Sequence, residues 1–305
     1  MTPRKPHLRR LPQLRLAFLG DIHGNLPALE AVLAHLDRTQ SPDAVYLLGD
    51  LVNRCPWNNE VMDRLAARGW PSVSGNHDLV VSRLHTSAIR PPFDERQNFP
   101  VMYWTWDHLR PEHIASLHEL PAEMTVALDG APPIRLLHGL PGNPFVGVYP
   151  ESDEAEIAPK FAGYTEPVVI GGHTHRPLDR HIGGRHFLNP GSVGLPYNSD
   201  PRAQYMTLDL LAGGGNSVNG PVWQPTFHRL AYDTGLLADA FRTSGLLAEA
   251  GPLAQLYLRT VLNGEPWASD FGYWLKSQPA AVREDIAGAV EAYLRVHGPG
   301  KWAFG

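Results

Sequence analysis

A chain of 305 residues, 43% of them apolar and only one a cysteine, can bury a full-sized core but cannot close an intrachain disulfide. A formal charge of −5 leaves no basic footprint, which argues against dedicated nucleic-acid binding. The lone Cys55 fits a reducing, cytoplasmic setting, and no apolar run is long enough to span a membrane.

Residues 1–13 are basic and precede the first apolar run, so they are expected to be a frayed tail rather than a signal segment. Residues 14–19 form a short apolar run that suits a buried strand. It breaks at Gly20, and Asp21-Ile22-His23-Gly24-Asn25 predicts a tight loop. Leu26, Leu29, Val32, Leu33 and Leu36 then recur at helical spacing, with Pro27 in the first turn. The unit repeats: a strand over 44–48, Gly49-Asp50, then a helix over 59–67 with Val61, Met62 and Leu65 on one face. A third, shorter strand is predicted over 70–74, ending in Gly75-Asn76-His77-Asp78. Strands alternating with helices in this order imply a largely parallel sheet with right-handed crossovers.

Residues 80–124 break the rhythm with Pro91-Pro92, Tyr103-Trp104-Thr105-Trp106 and a helix predicted from 112 to 120. This segment is expected to be an insertion, either a lid or rim for substrate or packing against the sheet. Strands follow over 125–128 and 134–137, the latter ending at His138-Gly139, and over 168–170, before Gly171-Gly172-His173-Thr174-His175. Strands over 179–182 and 185–188 flank Gly183-Gly184, a two-residue hairpin signal. Residues 189–194 (NPGSVG) form a tight loop, and a strand is predicted over 204–210. Helical periodicity dominates the rest, over 236–250, 252–262 and 280–296. These helices are expected either to cap the sheet or to build a homo-oligomer contact.

Several apolar runs end in a small residue followed by a side chain able to bind a cation: LAFLG-D-I-H, VYLLG-D, SVSG-N-H-D, IRLL-H-G and VVIGG-H-T-H. Open α/β sheets bind ligands beyond the carboxyl ends of their strands, so these groups are expected to meet at one edge. Each block alone is ordinary loop chemistry, but the set in one order is specific. Oxygen and imidazole donors without thiolate suit manganese, iron, zinc, nickel or cobalt better than magnesium or calcium, manganese foremost.

With GDIHGN at 20–25, GDLVNR at 49–54, GNHD at 75–78, LHG at 137–139 and GHTH at 172–175, the chain resembles the calcineurin-like metallophosphoesterase superfamily from about residue 14 to 210. GGHTHRP and NPGSVG are similar to its YfcE-like bacterial phosphodiesterase branch. The N-terminal blocks are also similar to the serine/threonine phosphatase and diadenosine tetraphosphatase branches. The resemblance implies a four-layer α/β/β/α sandwich of two mixed sheets over 14–232, followed by a helical extension over 233–305 packed on the core.

It further implies two divalent transition-metal ions. Asp21, His23 and His175 would hold one, Asn76, His138 and His173 the other, and Asp50 would bridge them. A hydroxide shared by the metals would attack the phosphorus of a small phosphate ester, with no covalent enzyme intermediate. His77 would sit by the scissile phosphate as general acid or as an orienting group. Asp78 would orient His77 or cap its loop. Arg54 matches the arginine that holds phosphate oxygens in the phosphatase branches, and its planar fork suits that contact, although a loop-surface arginine fits as well. Asn25 is expected at the substrate, and Asn53 in a turn. The leading expectation is a phosphodiesterase. The alternatives are a phosphoserine/phosphothreonine phosphatase, a dinucleoside polyphosphate hydrolase or a non-catalytic scaffold.

Overall fold

The computed structural model describes residues 14–211 and 221–298, so the expected basic tail at 1–13 lies outside the described residues. The first sheet contains β1 (Arg15–Leu19) and β2 (Ala44–Leu47) in parallel, joined by α1 (Leu26–His35). Helix α2 (Asn58–Arg68) follows β2, and α3 (Asn76–Val81) begins directly at the expected ligand Asn76. The predicted third strand at 70–74 is reduced to one parallel bridge, Leu47 to Ser72. Pro71 has no N–H to give the ladder, and Ser74 N donates instead to Pro121 O at 2.8 Å.

The segment expected as an insertion holds α4 (Pro100–His108) and α5 (Pro111–His118). Met102 and Tyr103 of α4 join the core under the first sheet, while Val101 and Trp104 pack on the C-terminal helices. Trp104 is thus a packing residue.

The second sheet comprises β3 (Glu123–Val126), β4 (Ile134–Leu137), β5 (Val168–Ile170), β6 (Leu178–Ile182) and β7 (Arg185–Asn189), with α6 (Glu154–Ile157) between β4 and β5. Its order is β3-β4-β5-β7-β6, in which β4, β5 and β7 are parallel and the outer pairs antiparallel. Gly183 and Gly184, at φ 55° and 77°, form the tight hairpin between β6 and β7 that their pairing requires. Strands β8 (Ala203–Leu211) and β9 (Val222–Leu230) complete the first sheet, β2-β1-β8-β9. The sequence reading missed β9. Pro225 within it demotes the run, yet an edge strand tolerates proline.

Side-chain alternation turns these sheets into layers. Leu16 and Phe18 of β1 meet Ile134, Leu136, Val168 and Ile170 between the two sheets. Ala17 and Leu19 face the other way, onto Leu29, Val32 and Leu33 of α1. Val169 and Phe187 turn outward beneath Ile157 of α6 and Phe161. The result is helix, sheet, sheet, helix: an α/β sandwich of two mixed sheets.

The C-terminal helices are α7 (Gly235–Thr243), α8 (Leu246–Ala250), α9 (Pro252–Asn263), α10 (Trp267–Lys276), α11 (Ala280–Arg283) and α12 (Ile286–His297). The helix expected over 236–250 is broken at Gly245, whose φ of 85° ends one helix before the next begins. The helix expected over 280–296 is likewise split, and Asp285 caps the second piece through Gly288 N. Leu237, Phe241, Leu246 and Leu258 pack with Trp104 and with Leu195 of the loop after β7. This packing brings α9 to the strand ends, and Trp267 and Phe271 seat α10 against Leu256 of α9. Among the described residues no helix is long and apolar enough to cross a membrane.

Candidate metal centre and substrate cleft

The loops after β1, β2, β4 and β5 converge with the start of α3 at one edge of the sandwich. Backbone bonds clamp them together: Asp21 N to Gly49 O at 3.0 Å, His23 N to Asp50 O at 2.9 Å, and Gly172 N to His138 O at 2.9 Å. Asp21, His23, Asp50, His173 and His175 all have positive φ, between 52° and 66°. Non-glycine residues rarely adopt that conformation, so backbone strain is concentrated where donor side chains must point inward. A Cβ on Gly75 would sit 2.1 Å from Asp50 Oδ1, so only glycine lets this loop pass.

Asp21, His23, Asp50 and His175 are buried, with donor atoms within 4.8 Å of one another. His175 Nε2 is 3.2 Å from both His23 Nε2 and Asp21 Oδ1. Asn76 Oδ1 lies 3.0 Å from His138 Nε2 and 2.9 Å from His173 Nδ1, making a second group. Asp50 Oδ2 falls between the two groups, 3.5 Å from His23 Nε2 and 3.4 Å from His138 Nε2. The ring nitrogens pointing away are anchored. His138 Nδ1 donates to Leu48 O at 2.7 Å and His175 Nδ1 to Leu195 O, which leaves both Nε2 lone pairs facing inward.

This donor set fits divalent cations. Asp21 Oδ2 and Asp50 Oδ2 are buried with no hydrogen-bond partner, an expensive arrangement unless a cation satisfies them. The electrostatics agree. Burial alone would raise Asp50, but the imidazoles of His138 and then His77 hold it well below the usual carboxylate range. Burial would lower His138, yet the Asp50 carboxylate pushes it up to about 10. Burial holds His23 well below its ordinary value, and burial with the neighbouring His138 lowers His173 to about 4. Without metal the cluster therefore holds a proton on one imidazole where a cation's charge would serve.

His77 stands beside this cluster, and its backbone N–H donates to Asp50 Oδ1 at 2.8 Å. Asn53, expected merely to form a turn, is buried and orients that ring. Its Oδ1 accepts from Arg54 N and Thr105 Oγ1, which leaves Nδ2 to donate to His77 Nδ1 at 2.6 Å. The neutral ring then carries its proton on Nε2, 2.7 Å from Arg54 Nη2. Two N–H groups facing each other at that distance repel, and an anionic oxygen that accepts from both relieves the repulsion. Burial, followed by the Arg54 charge, holds His77 well below its ordinary value.

Arg54 is no loop-surface arginine. Its Nη1 donates to Tyr197 Oη at 2.8 Å, and its guanidinium lies over Tyr257 of α9, 4.7 Å from the ring centroid. Asp78 does not reach His77. Its carboxylate instead accepts from the backbone N–H of Asp50, Leu51 and Gly75, at 2.7, 2.9 and 3.0 Å. Burial and then Asp50 push it up to about 7 against those bonds.

Asn25, expected at the substrate, is turned away. Its Nδ2 donates to Gly194 O and Tyr232 Oη, and its Oδ1 caps α1 at Ala28 N, so neither atom is left for a ligand. Cys55 is fully buried among the C-terminal helices, and burial raises its thiol above the ordinary value.

A cleft of about 310 Å³ opens over Asp50, Asn76, His77, His173 and His175, with Arg54 and Tyr197 in its wall. Its outer wall is Tyr149 and Glu151 on one side, with Ser269, Asp270 and Tyr273 of α10 on the other. The sequence reading missed Tyr197, Tyr257 and this face of α10, because none lies in a motif. A roomier cavity of about 430 Å³ touches only His138 of the cluster, which makes it a poor candidate for the reaction chamber.

A strand-end cluster of carboxylates, an amide and imidazoles on a two-sheet sandwich defines a metal-dependent phosphoesterase. Residues 14–213 match the calcineurin-like phosphoesterase superfamily domain, and the chain belongs to that superfamily. The phosphodiesterase YfcE of Escherichia coli is 26% identical over 64% of this chain and 88% of that protein. A symmetrical bis(5'-nucleosyl)-tetraphosphatase of Hamiltonella defensa is 26% identical over 63% of this chain but only 64% of its own length. The crystal structure of a metallophosphoesterase from Sphaerobacter thermophilus superposes with a TM-score of 0.62 at 28% identity, covering 83% of this chain and 99% of that one.

Proposed function

We propose that this chain is a cytoplasmic phosphodiesterase. In this reading Asp21, His23 and His175 would hold one divalent cation and Asn76, His138 and His173 a second, with Asp50 shared between the two groups. The observation that carries the reading is the position of Asp50 Oδ2, buried, unpartnered and about equidistant from one imidazole of each group. Nitrogen and oxygen donors without thiolate favour manganese, with iron, zinc, nickel or cobalt as alternatives. Bound there, such cations would lower the pKa of a water and neutralise charge on the phosphoryl oxygens.

The protein's own groups supply the rest. His77, with its proton on Nε2, donates to the leaving oxygen. Arg54, held by Tyr197 and Tyr257, pairs with a non-bridging phosphoryl oxygen. Asn53 fixes the His77 tautomer, and Asp78 holds the Asp50 and Gly75 loops together. Small phosphate esters are the substrate class, and the reading needs no membrane or nucleic-acid partner.

The test is side-by-side turnover of bis(p-nitrophenyl) phosphate, p-nitrophenyl phosphate and diadenosine tetraphosphate by the manganese-loaded enzyme. Diester turnover at least about tenfold above the others is expected. A higher rate on the monoester or the tetraphosphate would overturn the reading. The position of Arg54 beside His77 is what favours that second reading, a phosphomonoesterase or dinucleoside polyphosphate hydrolase.

A further inference from the structure

Arg54, Asn76 and His77 border a second cavity besides the cleft over the metal cluster. It is about 210 Å³, and its far walls are Phe93, Phe99, Met102, Phe145 and Leu253. These side chains come from segments far apart in sequence: the 80–124 region, the loop after β4, and α9. They form an ordered aromatic surface. Phe93 lies 4.8 Å from Phe99 and stacks on Phe145 at 5.6 Å, with planes 23° apart. Phe145 is nonetheless 40% exposed, a large apolar ring left in water at the rim of the cavity. Leaving such surface open is unfavourable in the free protein and is relieved when an apolar group covers it.

The larger cleft on the other side of the same three residues has a different character. Its outer wall carries Glu151, paired with Arg176 at 2.8 Å, and Asp270, along with the phenols of Tyr149 and Tyr273. One reaction centre is therefore flanked by an apolar arm and a polar arm, in which Arg176 offsets the charge of Glu151.

We propose that the two arms receive the two different alcohols of an unsymmetrical phosphodiester, the aromatic or alkyl one against Phe93, Phe99 and Phe145, and the hydroxylated one against Glu151, Asp270 and Tyr273. The proposal rests on the diester reading above and names its substrate class. A monoester fills one arm at most. A diester of two identical alcohols forces one of them into the wrong arm. A polyphosphate chain would bring further negative charge either against Asp270 or into the apolar arm, where it loses its hydration. Discrimination therefore comes from mismatch as much as from fit.

The experiment compares 1-naphthyl glyceryl phosphate, diglyceryl phosphate and di-1-naphthyl phosphate, with products followed by phosphorus NMR. The mixed diester is expected to have the highest kcat/KM, by about tenfold over either symmetrical one. Phe145→Ala and Phe93→Ala are expected to lower the ratio of mixed-diester to diglyceryl turnover by about tenfold. An unchanged ratio in both variants, or diglyceryl turnover equal to that of the mixed diester, overturns the proposal. A second readout is binding of the mixed diester to chelator-stripped protein, followed by naphthyl fluorescence. Binding is expected to weaken about tenfold in Phe145→Ala, and no binding to the unaltered chain overturns the proposal. If no diester is hydrolysed yet Phe145→Ala still weakens naphthyl binding, the reaction assignment fails and the apolar arm stands. If all three are hydrolysed equally and binding is unchanged, the arm assignment fails alone.

Discussion

Tyr197 lies flat against the imidazole of His175, with ring centroids 4.2 Å apart and planes 19° from parallel. Its hydroxyl meanwhile accepts from Arg54. One phenol thus supports His175 of the donor cluster with its face and Arg54 with its tip. Tyr197→Phe separates these duties. The stack survives, so metal content measured by elemental analysis should stay at the level of the unaltered chain. The lost hydrogen bond to a charged group should lower kcat/KM by about tenfold. Tyr197→Ala should lower metal retention as well. Metal loss in Tyr197→Phe would show that the hydroxyl, not the ring, positions His175.

The donors of the metal cluster were legible in the sequence because glycine, donor and strand end are adjacent along the chain. Local spacing encodes a tight loop whose side chain must point inward. Asp21, Asp50 and His138 follow that pattern, and the structure brings them together. The walls of the two cavities were not legible, since Tyr197 and Phe93 on loops and Tyr257 and Tyr273 on helices are brought there by tertiary packing and not by any local signal. Asn25 shows the opposite error. An asparagine beside a donor block looked available for substrate, but it is spent on a helix cap and on Gly194 O. Asn53 was undervalued for the same reason, because its turn geometry, with φ of 77°, and its hold on His77 coexist.

Removing the metals should make stability depend on pH in a defined direction. In the metal-free cluster Asp50 raises His138 from 6.5 to about 10, against burial. A group whose folded pKa is raised contributes stability that is fully present below its unfolded pKa and is lost as pH climbs through the folded value. The chelated protein should therefore lose thermal stability progressively between about pH 7 and 10. Metal-loaded protein, in which His138 is a neutral ligand, should show a flatter profile and a higher midpoint. Differential scanning calorimetry with and without chelator reads both. Identical profiles would mean that His138 carries no such proton.

Gly194 tests how the loop after β7 shapes the cluster. Its N–H donates to Asp21 O at 3.0 Å, and a Cβ there would lie 1.9 Å from Ile22 O. Backbone cannot swing aside as a flexible side chain can, so Gly194→Ala must push the Asp21 loop away from its neighbours. A stability loss of about 1–3 kcal/mol is expected. Weaker metal retention should accompany it, because Asp21 and His23 ride on that loop. Denaturation and metal analysis of the same preparation give the answer. A stable variant with reduced metal would place the whole effect on the site, whereas full metal retention would show that the loop yields without moving Asp21.

Arg54 decides between the two classes of ester. Its φ of 82° and its contacts with Tyr197, Tyr257 and His77 hold the guanidinium at the junction of both arms. A phosphate monoester presents an additional anionic oxygen that a diester has replaced with an alcohol. The charge-assisted bond from Arg54 should therefore matter more for the monoester. Arg54→Ala should reduce monoester turnover by about a hundredfold and diester turnover by closer to tenfold. Arg54→Lys keeps the charge but loses the planar fork and its seat on Tyr257, so it should recover only part of either loss. Unchanged metal content in both variants would confine the effect to substrate. Equal losses on the two esters would mean that Arg54 does not read the extra anionic oxygen and acts instead through its charge beside His77.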